Sequence, residues 1–258
     1  MKEADVDVDK LLNNLIALPE RRMLLLALGR CLRPLTDEAV VTVLNLVYSK
    51  SLEDERYRRV HAVLVDPDAL KDAVGEARSA SIRRVAALMR ATKVGRLFLD
   101  PAPHKNDPFF GYEKEEEVKM ERLTLGERRA MSKSISRNVI DRLLADPDPM
   151  VVGNILDNPR VIEKDILKIA SRRPASPKIL KLLATHRVWS KRYAVIKALV
   201  FNPYTQPRIT VVLMEMLTSK DVGNIVVDGN LHPEVIACAA EILRARKGGT
   251  ISINEDVE

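Results

Sequence analysis

Four prolines frame this chain. Pro149, Pro177, Pro207 and Pro233 stand 28, 30 and 26 residues apart, each at the opening of an apolar, helix-periodic run. Proline suits the first position of a helix, because its missing N–H would find no intrahelical partner there. Asp148 and Ser176 precede two of these prolines and offer side-chain oxygens to the exposed N–H groups. Between the prolines the pattern leaves room for second helices, entered near Asn158-Pro159, near Trp189-Ser190 and at Ser219-Lys220-Asp221. The stretch from Leu143 to Leu217 therefore predicts short helical hairpins, one for each proline interval.

Short identities recur within it. Ile166-Leu167-Lys168-Ile169 returns as Ile179-Leu180-Lys181-Leu182, and Val152-Gly153-Asn154-Ile155 returns unchanged as Val222-Gly223-Asn224-Ile225. Leu143-Leu144-Ala145 is matched by Leu182-Leu183-Ala184, and Asn158-Pro159 by Asn202-Pro203. A lone hairpin cannot bury its apolar face, so hairpins of this kind must stack on one another.

The run Asp146-Pro147-Asp148-Pro149-Met150-Val151-Val152, through Asn158-Pro159 to Ile166-Leu167, resembles the bacterial leucine-rich repeat variant. That family has an Asp-Pro opening, a valine, a closing Asn-Pro and a leucine-rich helix. The region of about 135–245 is also similar to HEAT-type helical repeats, whose hairpins run somewhat longer. Two departures stand out: the variant family commonly has arginine after the valine, where this chain has Val151-Val152. Some members carry a cysteine-rich iron–sulfur module, which Cys31 and Cys238 cannot supply. The resemblance implies an all-α fold, a right-handed α-solenoid of short stacked hairpins with an N-terminal helical region.

Four segments follow from the pattern. Residues 1–100 form an N-terminal helical region, with stripes at Leu11, Leu12, Leu15 and Ile16, then at Met23, Leu24, Ala27 and Leu28. Thr36-Asp37-Glu38 opens a third helix whose Val40, Val43, Leu44 and Val47 share one face. Arg56 to Leu64 and Ser79 to Ala91 read as further helices, although Val60–Val65, like Arg96–Leu99, would also suit a short strand. Residues 101–121 are an irregular linker or loop, with Pro101, Pro103 and Pro108 against a regular helix and an acidic run from Glu113 to Glu117. Residues 122–246 carry the helical repeats, and 247–258 a flexible tail.

Composition narrows the function classes. Aromatic content of only 4%, with abundant Leu, Val, Ile and Ala, suits close helix packing better than a β-sandwich. A net charge of +6 permits anionic partners without requiring them. Two distant cysteines and no CxxC pair argue against a disulfide framework and for a reducing, cytoplasmic setting. The longest apolar run, near Met23 to Leu28, is far short of a membrane span. His61, His104, His186 and His232 are scattered without metal-ligand spacing, and no phosphate-binding glycine loop is present. No cofactor, metal or catalytic residue is expected, and the chain reads as a non-enzyme.

Three constellations merit a place in a binding surface. Arg172, Arg173, Lys178, His186, Arg187, Trp189, Lys191, Arg192 and Tyr193 would make a basic, aromatic-bearing face if stacked units aligned them. Arginine beside aromatics suits nucleic-acid phosphates and bases as well as protein hot spots. The plain alternative is that Trp189 plugs a junction between hairpins. The paired asparagines either line a polar ladder for a peptide or bond backbone groups freed at helix ends. Phe109, Phe110 and Tyr112 either seal the joint between the two halves or stand as an anchor for a partner, including a second copy of this chain. The expected function is a protein–protein interaction scaffold. A HEAT-like nucleic-acid-binding module is the alternative.

Overall fold

A computed structural model describes residues 8–18, 20–53, 57, 60, 63–64, 66–99, 101–105 and 122–248. Among these every regular element is helical and no strand occurs. The chain divides into two compact units, Met1–Asp100 and Pro101–Glu258.

The first unit contains α1 (Val8–Ile16), α2 (Arg21–Leu32), α3 (Asp37–Glu53), α4 (Pro67–Val74), α5 (Glu76–Leu88) and α6 (Thr92–Leu97). Helix α2 packs on α1 and α4, and α3 packs on α5 and α6. Gly29 lets α2 approach α4 closely, since a Cβ there would lie 3.4 Å from Ala73 Cα. Gly75, at φ 91°, turns α4 into α5 through a conformation that favours glycine. Arg78 of α5 fastens the α2–α3 turn. Its guanidinium donates to the carbonyls of Leu32, Arg33 and Leu35, and its Nε lies 2.7 Å from Asp37 Oδ1. The ambiguous runs resolve to helix: Val60, Val63 and Leu64 are helical, and Arg96 and Leu97 close α6. Apolar alternation over so few residues does not distinguish the two periods, and packing decided for helix.

The second unit contains α7 (Leu125–Met131), α8 (Arg137–Leu143), α9 (Pro149–Leu156), α10 (Glu163–Ser171), α11 (Pro177–Thr185) and a 3₁₀ turn (Trp189–Lys191). It continues with α12 (Tyr193–Val200), α13 (Pro207–Met214), α14 (Ser219–Val226) and α15 (Pro233–Gly248). All four framing prolines are first helical residues. Asp148 caps α9 as read, accepting from Met150 and Val151 N–H, whereas Ser176 makes no side-chain cap. Glu163, five residues past Asn158, opens α10, and Tyr193 opens α12, because Pro159 and the Trp189 turn first redirect the chain. Residues 101–105 are non-helical, and Lys105 N–H donates to Pro203 O at 3.2 Å. Helix α15 runs through Gly248, two residues past the expected end of the repeats.

Helices begin at residues 125, 137, 149, 163, 177, 193, 207, 219 and 233, so each advances the chain by 12 to 16 residues. From α9 to α12 the third, fourth, seventh and eighth residues are buried in every helix: Val151, Val152, Ile155 and Leu156 in α9, Val195, Ile196, Leu199 and Val200 in α12. Four positions at that spacing make one apolar stripe. Helices of eight or nine residues are too short to persist alone, so the stripe's burial against neighbours supplies their stability. The principal helix pairs in this unit are one or two helices apart in sequence, including α7 with α9, α9 with α11, α10 with α12 and α13 with α15.

Candidate functional site

The nine residues expected to form a basic face fall at the two ends of α11. Arg172, Arg173 and Lys178 lie at the turn entering it, while His186, Arg187, Trp189, Lys191, Arg192 and Tyr193 follow its C-terminus. Nine residues at 1.5 Å each separate these groups by about 13 Å. The structure therefore brings six of the nine together and sets three apart.

Several of them are occupied in holding turns together. Trp189 donates from its indole Nε1 to Leu156 O at 2.9 Å and stacks on His186, with ring centroids 6.4 Å apart. His186 Nε2 sits 3.2 Å from Asp157 Oδ1. Tyr193 donates its hydroxyl proton to Asp221, and Arg173 Nη2 donates to Phe201 O. Arg172 has interactions of its own. Of the nine, the exposed cations outside these bonds are Lys178 at one end of α11 and Arg187, Lys191 and Arg192 at the other.

The asparagines are likewise committed. Asn158 donates to Ser132 O and Ser134 O, and Asn202 donates to Ala170 O and Arg172 O, at 2.8 to 3.1 Å. Each accepts a backbone N–H two residues on, from Arg160 and Tyr204. Asn154 bonds Arg129 O and Ser132 Oγ, while Asn224 is exposed. The two buried asparagines therefore satisfy carbonyls at the ends of preceding helices. Phe109, Phe110 and Tyr112 lie outside the described residues.

Two buried aspartates do not stand out in the sequence. Asp165 and Asp221 occupy the third position of α10 and α14, where α9, α11 and α12 carry Val151, Ile179 and Val195. Asp165 Oδ2 accepts from Arg137 Nη1 at 2.6 Å and from Ile162 N–H at 3.0 Å. Asp221 Oδ1 accepts from Lys197 at 2.8 Å. The guanidinium beside Asp165 holds its carboxyl below the usual carboxylate range, and the hydrogen bond from Lys197, then that from Tyr193, does the same for Asp221. Lys197 is raised in return. A carboxylate at a position that is otherwise apolar is the available signal for such pairs.

Among the described residues no cluster of three or more His, Cys, Asp or Glu has the arrangement of a metal site, and no helix is long and apolar enough to cross a membrane. A cavity between Leu144–Pro147 and Arg172–Ile179 encloses only about 20 Å³. Larger grooves of about 280 and 610 Å³ lie in the first unit, along α3 and α6 and between α2 and α4. Compared with family models, curated proteins and solved structures, the chain has no match in any of the three.

Proposed function

We propose that the second unit is a short right-handed α-solenoid resembling HEAT-type and leucine-rich-repeat-variant stacks, and that the chain is a non-catalytic scaffold for another protein. One observation carries the reading. Long-range side-chain bonds in this unit join residues one hairpin apart: Arg137 to Asp165, Trp189 to Leu156, Tyr193 to Asp221 and Arg246 to Leu217 O. A stack in which each unit contacts its neighbours exposes an extended surface suited to long partners. A cytoplasmic setting belongs to the same reading, since two isolated cysteines without a CxxC pair are not the sequence of a disulfide framework.

Affinity capture followed by mass spectrometry, with and without nuclease, tests this. Proteins retained after nuclease treatment are the expected result. Capture that vanishes with nuclease would replace the scaffold by the nucleic-acid module. The exposed Arg187, Lys191 and Arg192 favour that second reading. Its affinity would fall steeply with salt, because phosphate contacts release counterions. Against it, Trp189 has its ring nitrogen bonded to Leu156 O and is stacked on His186, which leaves less of it for bases.

A further inference from the structure

Alternate turns of the second unit form one continuous row. Residues 132–136, 157–162, 186–192 and 215–218 connect α7 to α8, α9 to α10, α11 to α12 and α13 to α14. Neighbouring turns in the row are bonded directly. Asn158 reaches Ser132 O and Ser134 O, His186 reaches Asp157, and Thr218 N–H donates at 3.2 Å to the hydroxyl of Tyr193, the residue that leaves the third turn into α12.

Each turn holds one aliphatic side chain up to solvent. Ile135, Ile162, Val188 and Met216 are 71%, 54%, 41% and 44% exposed. Scattered exposed apolar residues are ordinary and need no explanation. Four of them, 27, 26 and 28 residues apart and one to each adjoining turn, are a row. Exposed cations flank it: Lys133, Arg160, Lys164, Arg187, Lys191 and Lys220. The nearby carboxylates of Asp165 and Asp221 are already neutralised by Arg137 and Lys197. Asp157, its side chain 80% exposed in the second turn beside His186, is outnumbered by these six cations, so the row is apolar at regular intervals and net positive between them.

We infer that this row of turns docks an extended acidic peptide segment with an apolar residue at every third position. The inference rests on the scaffold proposed above and gives its partner a chemistry. Packed helices lie about 8–10 Å apart, which sets the distance between successive turns. A polyproline-II segment rises about 3.1 Å per residue with three residues per turn, so every third side chain returns to the same face after about 9 Å. A β-strand returns after about 7 Å and falls out of step within two turns. Acidic residues between the apolar ones would meet the flanking cations. Nucleic acid would engage the cations and leave the four aliphatic groups against phosphate, where they gain nothing.

The test uses the full chain and a fluorescent peptide of four Leu-Pro-Glu units, followed by anisotropy. Saturable binding is expected, with no binding by the matching Leu-Pro-Lys peptide. The combined Ile135→Ser, Ile162→Ser, Val188→Ser and Met216→Ser variant should weaken binding at least about tenfold. So should Lys133→Glu, Arg160→Glu and Arg187→Glu together, and melting should be unchanged in this second variant because its three side chains are exposed. No binding at about 1 mM peptide, or binding that survives both variants, overturns the inference. Preferential binding of anionic lipid vesicles or an oligothymidylate through the same residues also overturns it. The scaffold reading fails separately, on loss of captured protein after nuclease treatment.

Discussion

Asn202 donates from its amide to the carbonyls of Ala170 and Arg172, while its oxygen accepts the N–H of Tyr204. Asn158 makes the equivalent three bonds one helix end away from the other series of turns. Replacing either by alanine leaves two carbonyls and one N–H without that partner. For the more deeply buried Asn202 the cost should reach about 2–3 kcal/mol, since each abandoned buried group costs about 1–3 before relaxation. Chemical denaturation reads it directly, and a loss under about 0.5 kcal/mol would show that water replaces the amide. Trp189→Phe keeps most of the ring and removes the bond to Leu156 O, so a smaller loss of about 1 kcal/mol is expected. Arg90 supplies a change of opposite sign. It ends α5 at φ 54°, in the left-handed region, while Ala91 N–H reaches Ala86 O at 2.8 Å. Arg90→Gly relieves a backbone cost of about 1–2 kcal/mol and adds some unfolded-state entropy, for a net gain of about 0.5–1 kcal/mol. A melting temperature that falls on this substitution would contradict the argument.

Helices α9 to α12 bury the same four positions, and the aspartates that stand where an aliphatic residue is usual locate the electrostatics. Where α10 and α14 place aspartate third, the partner comes from the preceding hairpin: Arg137 opens α8, and Tyr193 opens α12. Asp165 and Asp221 both have lowered pKa values in the folded protein. The unfolded chain then binds more protons at low pH, so stability must fall as the solution is acidified. The contribution is complete above the ordinary carboxylate value of about 4 and is lost as pH drops through the lower folded values. Asp165→Asn should lower stability at neutral pH and flatten its acid dependence. An unchanged acid profile in Asp165→Asn would place the protons elsewhere. Glu127 adds to the same trend by capping α7, where Thr124 donates to it from both N–H and hydroxyl.

At the scale of the whole molecule, every regular element among the described residues is helical and the chain divides into two units. Far-UV circular dichroism should be dominated by helix, and a β-type spectrum would contradict the fold. The proposed stack makes a further demand on the second unit. Where each hairpin is held by its neighbours, inner hairpins have two and an end hairpin has one. Hydrogen exchange should therefore reach α7 and α8 before α10, α11 and α12. Uniform protection across the unit would count against a quasi-one-dimensional stack.

The all-helical class and the four proline-marked helix starts were legible because proline's missing N–H and the apolar stripe are local properties. Pro149, Pro177, Pro207 and Pro233 needed no neighbour to mark where helices begin. The recurring words were less reliable guides. Val152–Ile155 and Val222–Ile225 occupy the same positions in α9 and α14, but Ile166–Ile169 and Ile179–Leu182 are offset by one residue in α10 and α11. A stripe of burial tolerates many words, since any aliphatic residue fills it. Packing alone decided the fate of the polar residues. Trp189, His186, Tyr193 and both buried asparagines bond atoms 24 to 33 residues away, and no local pattern distinguishes a side chain that reaches a neighbouring turn from one that waits for a partner. The four aliphatic groups in a row were hidden for the same reason. Their exposure depends on which turns lie side by side, and that order is set by tertiary contacts.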